Sequence, residues 1–168
     1  MIDQSAAGLS GQSIVYACWR ARLQGRNLVL RADINPPDLK AELAHVSILA
    51  REEAGFRFRL AGTALRQAFG REARGALVED ISACAGVLAW GEAVRRSLAR
   101  IEPIRGRTVR PDGRVHFWMR LPMSSDGVAA DLVLCHDRIL SADALTDPDR
   151  AARAADRSLR LDAELIAA

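Results

Sequence analysis

The stretch from residue 55 to 75, GFRFRLAGTALRQAFGREARG, constrains this chain more than any other. Phe56, Phe58 and Leu60 alternate with Arg57 and Arg59, the period of two expected of a strand with one face on a core and the other in water. Gly62 ends that alternation. Thr63 then reads as a helix N-cap, and Ala64, Leu65, Ala68 and Phe69 form a short apolar stripe at helical spacing that stops at Gly70. The pattern predicts a strand running directly into a short helix, then a glycine turn and a second glycine at Gly75.

This order resembles the second strand and first helices of a PAS domain. Arg59-Leu60-Ala61-Gly62-Thr63, followed by Gly70 and Gly75, is similar to the R-L-x-G-T, G and G pattern of the alphaproteobacterial single-domain PAS family. Arg31-Ala32-Asp33-Ile34-Asn35-Pro36 resembles the R-x-D-I-x-P segment that precedes the domain in that family. Leu121-Pro122 through Asp126-Gly127 resembles the L-P-L-x-x-D-G link between its final strands. The resemblance implies an α+β fold: a PAS-like, curved five-stranded antiparallel sheet with helices on one face and a cavity between them, plus N-terminal and C-terminal helices.

Taken in order, residues 1–13 are small and polar and read as a loose tail, and Ile14, Val15, Cys18, Trp19 and Leu23 recur at helical spacing. Residues 1–30 are therefore assigned to a tail and helix, 31–140 to the PAS-like domain and 141–168 to a helical extension. The first helix serves either as an oligomer contact or as a cover for its own domain. Residues 45–51 read as the first sheet strand, making a hairpin with the strand that starts at Phe56. Leu77, Val78 and Ile81 make one helical turn, and residues 86–101 a longer helix. Residues 103–109 form a strand, and Arg110-Pro111-Asp112-Gly113 a turn. Val115, Phe117, Met119 and Leu121 then alternate with His116, Trp118 and Arg120, giving one apolar and one mixed face. Residues 128–136 read as the last strand. The segment after Asp147 is either a lever helix for a partner or a self-docked tail.

A chain of 168 residues with 49% hydrophobic and 27% charged residues suits one globular domain. Apolar runs fall short of the ~18 residues of a spanning helix, and the N-terminus lacks the pattern of a signal peptide. A cytoplasmic protein with no membrane span is expected. The 24 basic residues are interleaved with 21 acidic ones, which predicts a solvated surface and no nucleic-acid face. Cys18, Cys84 and Cys135 show no Cys-x-x-Cys spacing, so reduced thiols are expected and neither zinc nor a disulfide framework.

No phosphate-binding, dinucleotide-binding, nucleophile-elbow or zinc-protease motif occurs. His45, His116 and His136 stand singly. His116 and His136 read as neighbours across the last two strands, without the carboxylate or third ligand a metal needs. Glu79 and Asp80 read as capping or solvent-facing groups. Flavin-adduct PAS domains carry an Asn-Cys-Arg-Phe-Leu run where this chain has residues 77–83, and haem versions place a histidine on the helix that residues 86–101 form. Neither feature is present, so the resemblance implies neither cofactor, and it leaves any other one unidentified.

The expected function is a non-enzymatic sensory or protein-interaction module of bacterial signal transduction, acting through non-covalent contacts. Its partner would be another protein or a second copy in a homodimer, and its ligand a small apolar molecule. Phe58, Leu60, Leu88, Trp90, Phe117, Met119 and Val133 are the residues expected at the cavity, either as packed core or as pocket lining. The alternative is a small α+β enzyme or binding protein for a small hydrophobic ligand, with Asp131, His116 or His136 as acid or base at the cavity mouth. A third reading is a structural adaptor with a filled core.

Overall fold

Five antiparallel strands build the sheet: β2 (Val46–Glu52), β3 (Gly55–Ala61), β4 (Ile104–Val109), β5 (Val115–Ser124) and β6 (Leu132–Leu140). β5 lies between β4 and β6, and β2 joins β6 to the edge strand β3. A two-residue strand, β1 (Val29–Leu30), adds to β5 in parallel at Met123 and Ser124, beyond the end of β4. The chain is described from a computed structural model over residues 4–85 and 89–140, with side chains described for 11–81 and 90–140. The expected extension, 141–168, lies outside the described residues, as does Leu88.

The two faces of the sheet carry separate cores. Helix α1 (Gln4–Ala21) covers one face, burying Val15 and Trp19 against Ile48, Met119, Leu121 and Leu134. The Trp19 indole also donates a 2.9 Å hydrogen bond to the Pro122 carbonyl, so its one polar atom is satisfied inside the core. Residues 4–13, expected as a loose tail, belong to this helix. Helices were expected on one face alone; α1 covers the other, where Trp19 is 4% exposed.

Helices α2 (Thr63–Phe69), α3 (Val78–Ala85) and α4 (Ala89–Arg100) cover the opposite face. Phe56, Phe58, Leu65, Ile81, Trp90 and Val133 pack together there. Phe58, Phe69 and Trp90 form an aromatic group, with Phe69 and Trp90 centroids 5.1 Å apart.

The glycines of the opening stretch each answer a backbone demand. A Cβ at Gly62 would lie 2.3 Å from the Ala44 carbonyl oxygen and 2.4 Å from that of Leu43, so the β3–α2 corner presses directly on the turn ahead of β2. Gly70, at φ 70°, ends α2 in the left-handed conformation. Helix α2 starts at Thr63 with Gly62 as its N-cap and no side-chain cap bond, one position earlier than the expected Thr63 cap.

The Arg31 to Pro36 segment docks on the end of α1. Asp33 pairs with Arg26, Arg22 Nε donates to the Asp33 carbonyl, and Ile34 joins the α1-side core. The last strand starts later than expected, at Leu132, because Asp126 and Asp131 fold residues 125–131 into a loop through bonds to the Val128 and Ser125 backbone amides. Among the described residues no helix is long and apolar enough to cross a membrane.

Candidate functional site

Strands β5 and β6 turn alternate side chains to the two faces, and the mixed face of β5 points toward α2–α4. There Arg120, His116 and Asp137 form a buried network, each side chain no more than 2% exposed. Arg120 donates from Nη1 to Asp137 Oδ2 (3.0 Å) and from Nη2 to Oδ1 (2.9 Å), a two-pronged clamp. His116 Nε2 lies 2.7 Å from Asp137 Oδ1. A carboxylate only accepts, so Nε2 carries a proton and donates it, while Nδ1 has no hydrogen-bond partner.

Burial raises the cost of charge on Asp137, but the Arg120 charge and the bonds from His116 and Arg120 outweigh it and hold the carboxyl below its ordinary range. Burial likewise opposes the Arg120 charge, and Asp137 more than restores it. The Arg120 guanidinium also lies 4.3 Å from the centre of the Trp90 ring, a cation–π contact of about 2 kcal/mol in a site this dry. Cys135, beside Arg120 in register, is pushed up to about 12 by burial and is not a reactive thiolate.

Above this network is a cavity of about 130 Å³. Leu65, Ala68 and Phe69 of α2, Trp90 of α4 and Ile139 of β6 supply its apolar wall. His45, Arg110, Arg114, His116 and Asp137 supply the polar one. Arg110 and Arg114 reach it from the β4–β5 turn, where Asp112 holds Arg114 at 2.7 Å.

The other face has a polar group of its own. His136 Nε2 bonds Glu42 Oε2 at 2.8 Å, Arg138 Nη1 lies 3.7 Å from the same oxygen, and the His45 ring is 5.9 Å from that of His136. The bond from His136 holds the Glu42 carboxyl below its ordinary range in spite of burial, with Arg138 and His45 adding to the effect. His45 donates from Nδ1 to the Asp137 carbonyl (3.2 Å). Successive residues of β6 thus serve both faces.

Six of the seven residues expected at the cavity lie among the described residues, and they are divided between the two faces. Trp90 lines it, and Phe58 and Val133 belong to the same helical-face cluster. Leu60 and Met119 lie on the α1 side. Phe117 packs with Val115 and Leu140. Leu60 parts from Phe58 because β3 bulges: Leu60 pairs with Ile48 and Phe58 with Leu49, leaving Arg59 as the extra residue. His116 and His136 are not cross-strand neighbours, since His116 pairs with Ile139 and His136 with Met119. Each instead has its own carboxylate. Of the residues named as possible acids or bases, His116 lines the cavity, His136 faces α1, and Asp131 is taken up by Ser125. Sequence reasoning missed Asp137, Arg120 and Arg110. The mixed face of β5 was the available sign of the first two. Among the described residues no group of three or more His, Cys, Asp or Glu side chains is placed to hold a metal.

An antiparallel sheet with helices on both faces and a part-polar cavity under α2–α4 defines an α+β module. Residues 9–108 match the family model described as PAS domain, and the chain belongs to that family. It is similar to a domain of an HTR-like protein from Haloarcula marismortui ATCC 43049, with 13% identity and a TM-score of 0.45 over 57% of this chain and 98% of that one. It is also similar to an RNA-binding light-oxygen-voltage receptor, with 14% identity and a TM-score of 0.45 over 76% of this chain. The match spans 38% of that receptor's length. No curated protein matches the chain significantly.

Proposed function

We propose that the chain is a non-enzymatic sensory PAS module of bacterial signal transduction, of the alphaproteobacterial single-domain type, and that it works by non-covalent recognition. One observation carries the reading: neighbouring residues of β6 contact the cavity and the α1 contact on opposite faces. Asp137 stands in the cavity wall, while His136 bonds Glu42, whose carboxylate abuts Gly11 of α1. An occupant that shifts β6 by a fraction of an ångström changes how α1 seats, because packed interfaces yield in steps rather than continuously. The outer side of α1, with Ile14 44% exposed, is then the surface offered to a partner protein or second copy. The resemblance of the Arg59 to Gly75 motif supports the family type, and the domain is assigned to residues 31–140 with α1 as its output element.

A second reading keeps one observation of its own. His116, bonded to Asp137 and facing the cavity, has the form of a general base held in one tautomer. Against it, the cavity wall contains no serine, threonine, cysteine or lysine nucleophile among the described residues, and Asp137 is already clamped by Arg120.

The test is incubation of the purified chain with a cell extract, followed by native mass spectrometry and by hydrogen exchange across α1. Retention of an unaltered small molecule, with changed exchange in residues 11–21, supports the sensory reading. Release of a chemically altered product overturns it in favour of the base. An occupied cavity with unchanged exchange in α1 overturns the proposed output.

A further inference from the structure

The cavity described above has a polar wall that its own fold leaves incompletely matched. Arg110 Nε and Nη1 are buried and make no hydrogen bond, and the same holds for Trp90 Nε1. Trp90 is 3% exposed and the Arg110 side chain 11%. The nearest carboxylate to Arg110 is Asp112, whose Oδ2 is 3.7 Å from Nε, beyond hydrogen-bond range. Asp112 is meanwhile engaged by Arg114 through Nε at 2.8 Å, Nη2 at 2.7 Å and the backbone amide at 3.0 Å. Asp137, the carboxylate that lines the cavity, is matched by Arg120. Among the described residues three guanidinium groups therefore stand against two carboxylates, and the excess positive charge falls on Arg110.

Buried donors without acceptors are costly, more so when charged, and persist where a ligand supplies what the fold does not. His116 Nδ1, in the wall of the same cavity, is likewise buried without a hydrogen-bond partner. The opposite wall is apolar and aromatic, and a ~150 Å³ apolar cavity is enough to admit benzene. With about 130 Å³ here, the occupant is no larger than one ring or a short branched chain.

We propose that this cavity binds a small carboxylate whose apolar, ring-sized body lies against Phe69 and Trp90 and whose charged head meets Arg110. A carboxylate suits this wall better than a phosphate. Its two oxygens match the few donors present, whereas a phosphate would place further charged oxygens against Leu65 and Ala68 without partners. The assignment rests on the sensory reading of the cavity and gives its input a chemical class. It replaces the expected purely apolar ligand by an acid.

Titration calorimetry with benzoate, its neutral counterpart benzamide and inorganic phosphate tests it on the full chain. Benzoate is expected to bind saturably, with benzamide and phosphate weaker by about tenfold or more, the ordinary worth of a charge-assisted contact. In Arg110→Gln the benzoate affinity falls by about the same factor while benzamide is unaffected, and Arg110→Lys keeps part of it. Unchanged melting temperatures of the unliganded variants show that the loss is local. Equal binding of benzamide and benzoate, tightest binding of phosphate, or no effect of Arg110→Gln overturns the assignment. So does the absence of binding by all three probes. If a neutral molecule from the extract is retained and α1 exchange still responds, the sensory reading stands and only the anion fails.

Discussion

Helix α1 meets the Glu42 carboxylate through Gly11: a Cβ at that position would lie 2.4 Å from Glu42 Oε2. Glycine within a helix ordinarily costs about 1 kcal/mol relative to alanine, so Gly11→Ala would stabilise an isolated helix. Here the carboxylate is held by His136 and cannot swing away freely, and overpacking of this kind costs about 1–3 kcal/mol. Gly11→Ala is expected to lower stability and to loosen Trp19 from Pro122, seen as a red shift of tryptophan emission. Glu42→Ala in the same chain relieves the clash. The double variant should therefore be more stable than the sum of the single effects allows.

Gly62→Ala tests the other close approach. Its Cβ would meet two backbone carbonyls, those of Ala44 and Leu43, which cannot rotate aside as a side chain can. The expected loss is about 1–3 kcal/mol, or several degrees of melting temperature at this chain length. A neutral result in thermal denaturation would show that the β3–α2 corner has room to spread. Gly70→Ala is a control of different kind, since its cost comes from the left-handed φ of 70° and not from a neighbour.

The glycines show how far the fold could be read in advance. Strand, corner, short helix and left-handed stop were visible in residues 55–75 because each is set locally, by period, turn chemistry and capping. The division of side chains between the two faces was not. Period two places Phe58 and Leu60 together, yet the bulge at Arg59 sends them to opposite cores, and nothing local announces a bulge. The two-residue β1 is too short to show a period. For the site, an apolar cavity was expected from the apolar face of β5, whereas that face packs toward α1 and the mixed face forms the polar wall. Burial of Arg120 was illegible because its partner, Asp137, lies 17 positions away on another strand.

Removing one member of that pair should be far worse than removing both. Arg120→Met leaves the Asp137 charge buried with His116 as its remaining side-chain donor, and Asp137→Leu leaves Arg120 buried beneath Trp90 with no counter-ion. Each single change is expected to cost about 3–5 kcal/mol. The double variant, apolar throughout, should recover most of that, because the desolvation that the pair overcomes disappears with it. Urea denaturation of the four proteins gives the coupling directly. Strictly additive losses would mean that the two charges act independently despite their 2.9–3.0 Å contacts.

Acid should destabilise the fold in two stages. Burial, followed by the nearby Arg138 and His136 charges, holds His45 below its ordinary 6.5, with Glu42 and the Asp137 carbonyl opposing. Between that depressed value and 6.5 the unfolded chain binds the proton and the folded chain does not, so stability falls as pH drops below about 6.5. Glu42 and Asp137 are depressed from 4.5 and 3.8. Their contribution is complete above those values and is lost as pH falls through the lower folded ones. Both stages have the same sign, and His45→Gln separates them: it should flatten the stability profile near pH 6 while leaving the loss below pH 4.5 in place. Urea midpoints measured from pH 8 to 3 decide the matter. An unaltered slope near pH 6 in the variant would assign that stage to other groups and remove His45 from the account of how the turn ahead of β2 is held to β6.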